Sequence, residues 1–73
     1  MYNYFIVIGK IEKIIDNSVV LSTGNDIVQV YLKDISLEDY LDKLNKCTVL
    51  GVKGHISSEE QSLKLIGDRI TFF

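Results

Sequence analysis

The strongest pattern in the chain is a run of apolar and β-branched residues over positions 4–15, where Tyr4, Phe5, Ile6, Val7 and Ile8 lead through Gly9 to Ile11, Ile14 and Ile15. Such a run predicts a strand. Gly9 predicts where it bends, because a residue without a side chain offers no resistance to coiling, bulging or close backbone approach. A first strand long enough to serve two sheets is what a small closed barrel needs. Asp16-Asn17 then supplies residues that tolerate the positive φ of a tight hairpin turn. Residues 18–22 predict a second strand with Val19 and Leu21 on one face, followed by a turn at Thr23-Gly24-Asn25-Asp26. Over 27–33 the alternation is clean, with Val28, Val30 and Leu32 facing the core and Gln29, Tyr31 and Lys33 facing away.

The period changes at Ser36. Leu37, Leu41 and Leu44 recur at helical spacing, Ser36 and Asp39 have the spacing of a capping box, and Ile35 and Tyr40 have that of a hydrophobic staple. Glu38 and Asp39 in the first turn and Lys43 and Lys46 near the end suit the helix dipole. One short helix is predicted, of about two to three turns. Residues 48–56 return to strand, with Leu50, Val52 and Ile56 alternating against Val49, Lys53 and His55. A polar hairpin loop over 57–61 leads to a last strand over 62–73, in which Gly67 permits a bulge. The expected architecture is all-β with one short helix: five strands, the helix between the third and fourth, in one domain spanning 1–73.

Seventy-three residues bury only roughly 60% of the surface that the unfolded chain exposes, so stability is thin and self-association is a natural supplement. Composition is globular, at 47% hydrophobic and 25% charged. Net charge is −2, which gives the whole chain no basic footprint. The acidity is concentrated in residues 34–47, where Asp34, Glu38, Asp39 and Asp42 outnumber Lys43 and Lys46, and it reads as a solvated helix face. Cys47 is the only cysteine, which excludes an internal disulfide and fits a reducing compartment. With no signal-peptide pattern and no apolar run near the ~20 residues needed to span a bilayer, the expected location is cytoplasmic.

The order of elements, with glycines in strands one and four, resembles the OB-fold, a five-stranded Greek-key barrel that commonly binds oligonucleotides. Three stretches are similar to the bacterial single-stranded DNA-binding protein family. They are Val7-Ile8-Gly9-Lys10-Ile11 in the opening strand, Val52-Lys53-Gly54-His55-Ile56 after the helix, and Asp68-Arg69-Ile70-Thr71-Phe72-Phe73 at the close. The sequence departs from that family in having a short loop between strands four and five, no tryptophan, and Lys10 and His55 where arginines are usual. It stops at Phe73, so the acidic tail through which family members recruit partners is not implied. These departures predict weaker binding than in typical members.

Single-stranded nucleic acid is held by stacking on aromatic rings, roughly 1–3 kcal/mol per base, together with cations along the phosphates. The candidate residues are Lys10, Gln29, Tyr31, Lys33, Lys53 and His55, expected to lie together on the outward faces of strands one, three and four. Tyr31 equally suits an ordinary exposed strand position, and the lysines equally serve solubility. Tyr4, Ile6 and Ile8 form the other face of strand one and must be covered, which together with the family resemblance predicts a homodimer or higher oligomer. Metal binding and catalysis find no support. Cys47 and His55 cannot complete a four-ligand zinc site, and His55 has no carboxylate partner by motif. No cofactor is implied. The leading reading is low-specificity binding of single-stranded nucleic acid, DNA before RNA; the second is a protein-interaction module that joins a partner through the apolar face of strand one.

Overall fold

A computed structural model of the chain describes residues 3–33, 41–58 and 62–73. Its elements are β1 (Tyr4–Ile15), β2 (Ser18–Thr23), β3 (Asp26–Tyr31), α1 (Leu41–Lys46), β4 (Val49–Ser57) and β5 (Lys64–Phe72). The five strands close into a barrel in the order β1-β2-β3-β5-β4. All neighbours are antiparallel except β3 and β5, whose short parallel contact pairs Val30 with Leu65 and Tyr31 with Ile66.

Closure depends on β1. Its first half, Tyr4 to Lys10, pairs with β4, and its second half, Lys10 to Ile15, pairs with β2. The two ladders meet at Lys10. The strand bends there through two features. A side chain at Gly9 would place its Cβ 2.6 Å from the Ser22 carbonyl oxygen, so only glycine lets β2 come this close. Three residues on, the register against β2 shifts between Ile11 and Lys13, which makes Glu12 the extra residue of a bulge.

The interior is filled by Val19 and Leu21 of β2, Val30 of β3, Leu32, Leu44 of α1, and Leu50 and Val52 of β4. These are the positions that alternation predicts on β2, β3 and β4. Both predicted turns take the backbone they require, with φ of 52° at Asp16 and 70° at Gly24. The third strand is shorter than expected: it ends at Tyr31, where Leu32 keeps its inward side chain but donates its N–H to the Asn17 carbonyl at 2.7 Å, and Lys33 enters a turn. Leu63, read as part of the last strand, precedes β5 and is exposed. The helix cap at Ser36 and Asp39, the staple of Ile35 and Tyr40, and Leu37 lie outside the described residues.

A second bulge joins β4 to β5. The register shifts between Lys53, which faces Arg69, and Gly54, which faces Gly67, so Asp68 is the extra residue. A Cβ on Gly54 would collide with the backbone carbonyl of Ile66, whereas one on Gly51 would press on the ring of Phe73, 2.9 Å away, and touch Ile8 at an ordinary 3.7 Å. A ring can move and a strand backbone in a closed barrel cannot. Gly54→Ala is therefore expected to cost about 3 kcal/mol or more by overpacking, a large share of the roughly 4–11 kcal/mol available to a chain of this length. Gly51→Ala is expected to cost less than about 1 kcal/mol. Urea unfolding of the two variants checks this, and equal midpoints would contradict it.

Candidate nucleic-acid interface

Because Ile11, Ile14, Val19, Leu21, Val28 and Val30 pack into the core, the residues alternating with them lie on the outer side of the sheet, where Val20 and Ser18 are nevertheless buried. Register arranges them in rows across β1, β2 and β3: Lys10, Ser22 and Ile27; then Lys13, Val20 and Gln29; then Ile15, Ser18 and Tyr31. No carboxylate occupies these rows. Glu12 sits at the bulge, and Asp26 lies one row beyond, opposite Thr23.

The centre of this face is ordered by hydrogen bonds. Ser18 is buried; its hydroxyl donates to the Ile15 carbonyl at 2.9 Å and accepts from the Gln29 amide at 2.8 Å. Gln29 is thereby fixed across the face beside Tyr31. The Tyr31 ring is half-buried, and the Lys64 ammonium stands 5.2 Å from its centroid in a cation–π contact. The face thus offers one oriented ring, a cation resting on it, two further lysines on β1, and a polar amide.

Two of these residues escape a reading by alternation. Counting from Lys10 by twos places Lys13 inward with Ile11, but the extra residue at Glu12 reverses the parity and turns Lys13 out. Lys64 reaches Tyr31 because β5 runs beside β3, a contact between strands far apart in sequence. The Glu12 bulge carries no sequence mark beyond its nearness to Gly9.

The six predicted residues are spread over three strands and a turn. Gln29 and Tyr31 lie on the β2–β3 side, and Lys10 stands at the junction. Lys33 is exposed in the turn after β3. Lys53 and His55 lie on β4, where Lys53 pairs with Ile6 and His55 with Tyr4. In the closed strand order β2 stands between β1 and β3 and β5 stands between β3 and β4, so β3 adjoins neither β1 nor β4; Tyr31 and His55 nonetheless fall in one row, because Ile66 pairs with both. Tyr4, Ile6 and Ile8 are exposed on the outer face of β1, as expected, at 68%, 72% and 57%. They share that face with Lys53 and His55, so two sets given separate roles occupy one surface. His55 also has the carboxylate partner that no motif revealed: its Nδ1 lies 2.8 Å and 3.1 Å from the two Asp68 oxygens, brought there by the β5 bulge.

No protein-family model and no curated protein matches the chain. Among solved structures it is similar to U. maydis replication protein A bound to ssDNA, at 20% identity and a TM-score of 0.70 over 99% of this chain and 60% of that one. It is also similar to a chain of the S. pombe Stn1-Ten1 complex, at 17% identity and a TM-score of 0.55 over 96% of this chain and 57% of that one. The chain spans about three fifths of the length of the structures it matches. At these identities the likeness establishes the fold, an OB-type five-stranded barrel. The similarity to the bacterial family rests on its three strand motifs alone.

The Ser18 hydroxyl ties the end of β1 to Gln29 from a buried position. Ser18→Ala is expected to lower the unfolding free energy by about 1–2 kcal/mol, because the Ile15 carbonyl loses its donor. Denaturant titration measures the change, and an unaltered midpoint would show that the bond contributes nothing.

Proposed function

We propose that the chain binds single-stranded nucleic acid, ssDNA in the first instance, with little sequence preference, on the outer face of β1, β2 and β3. The observation that carries this reading is the carboxylate-free set of rows holding Tyr31 between Gln29 and Lys64, with Lys10 and Lys13 alongside, in a chain whose net charge is −2. A base stacks on Tyr31, which contributes roughly 1–3 kcal/mol and discriminates little, since every base has a π-face. Lys64, already over the ring, takes the adjoining phosphate, and Lys10, Lys13 and Lys33 neutralise others. Gln29 offers hydrogen bonds to a base edge. That one similar barrel is described as bound to ssDNA supports the choice of ligand. Lys53 and His55, on β4, belong with the apolar face of β1.

Fluorescence anisotropy with labelled oligo(dT) at low salt tests the proposal. Binding should be measurable, and log K should fall with log salt by about 0.7 for each phosphate neutralised. Tyr31→Ala should weaken it by roughly 5- to 150-fold, corresponding to one lost stack. Lys10→Ala with Lys13→Ala should make the salt dependence shallower by about 1.4 if each lysine neutralises one phosphate. No binding at low salt, or full affinity in Tyr31→Ala, would overturn the proposal. Repeating the titration with oligo(U) separates DNA from RNA.

A further inference from the structure

The first half of β1, with β4 and β5, presents a second outer surface of different chemistry. Its rows are Ile8, Gly51 and Thr71, then Ile6, Lys53 and Arg69, with Tyr4 and His55 beyond. Phe73 joins them. Its N–H donates to the Val49 carbonyl at 3.1 Å, the Cys47 thiol lies 3.0 Å from its own carbonyl, and its ring rests in the space Gly51 leaves by having no Cβ. Ile6, Ile8 and Phe73 line a shallow groove together with Lys53 and Arg69, and all three apolar side chains are more than half exposed.

Charge on this surface is one-sided. Among the described residues neither Lys53 nor Arg69 makes an ion pair, and the nearest carboxylate in the ladder, Asp68, is held by His55. An apolar strip flanked by two unpaired cations complements a segment that is apolar on one side and acidic beside it. Over the groove only β4 is paired on both sides, since β1 from Tyr4 to Gly9 and β5 from Gly67 to Phe72 are paired with β4 alone. The apolar side chains and both cations stand on the face of these strands and not along an edge, and such a face suits an amphipathic helix laid across it.

We propose that this groove docks an acidic amphipathic helix of another protein, its apolar side chains on Ile6, Ile8 and Phe73 and its carboxylates on Lys53 and Arg69. A second copy of the chain fits less well. A two-fold contact uses the same patch on both sides, and this patch offers no carboxylate beyond Asp68 to answer Lys53 and Arg69. Nucleic acid would find the exposed rings of Tyr4 and Phe73 beside the two cations, but the aliphatic Ile6 and Ile8 give bases no face to stack on. The inference stands independently of the nucleic-acid proposal, which uses other residues.

The probe is a synthetic helical peptide of about four turns, with Leu and Phe at i, i+3, i+4 and i+7 and Glu elsewhere. Its controls are a scrambled peptide and one with Gln replacing Glu. Titration into the full chain, followed by amide chemical shifts, should give saturable changes confined to residues 4–8, 51–55 and 69–73. Affinity should drop at least about tenfold with the Gln peptide and with the Lys53→Glu, Arg69→Glu double variant. Ile6→Asp, at a position 72% exposed and so compatible with folding, should abolish the changes while leaving oligo(dT) anisotropy intact. No saturable change, or equal binding of the scrambled peptide, would overturn the proposal. So would competition by oligo(dT) for the same residues, or a concentration-dependent dimer in sedimentation that Ile6→Asp dissolves, which would assign the groove to nucleic acid or to a second copy.

Discussion

One strand holds two ladders, and the rest of the molecule follows from how it manages both. β1 hydrogen-bonds β4 along its first half and β2 along its second, with Lys10 in both registers. A flat strand cannot do this over a barrel of five strands. Gly9 lets the Ser22 carbonyl approach to a distance that any Cβ would forbid, and the Glu12 bulge then adds twist and reverses which residues point inward. Ile11 and Ile14 both reach the core because of that reversal. Under strict alternation one of them would face water.

The same constraint divides the outer surface into two chemistries. Where β1 runs beside β2 it contributes Lys10 and Lys13 to a face centred on Tyr31 and Gln29. Where it runs beside β4 it contributes Tyr4, Ile6 and Ile8 to an apolar groove edged by Lys53 and Arg69. A chain of net charge −2 thus presents cations on both faces, while much of its acidity belongs to the segment between β3 and β4.

Much of this was legible in the residues. Val19, Leu21, Val30, Leu50 and Val52 alternate as buried strand residues must, and all are core. Asp16 and Gly24 announced their turns by tolerating positive φ. What escaped was what depends on register across distant strands. Lys13 lies outward through a one-residue bulge, Lys64 reaches Tyr31 through a parallel contact, and Asp68 meets His55 through a second bulge. Alternation predicts faces well until an extra residue intervenes, after which every assignment beyond it reverses. The residues expected together, Lys10, Gln29, Tyr31, Lys33, Lys53 and His55, spread over three strands and a turn because strand order around the barrel is not a local property and because β3 ends before Lys33.

That the face holding Gln29 and Tyr31, and not the groove of Ile6, Lys53 and Arg69, takes nucleic acid is tested most directly by mapping the oligo(dT) complex residue by residue by amide chemical shifts. The account predicts changes at Lys10, Lys13, Val20, Gln29 and Tyr31, with Ile6, Lys53, Arg69 and Phe73 unmoved. Changes centred on Lys53 and Arg69, with Gln29 and Tyr31 silent, would contradict it.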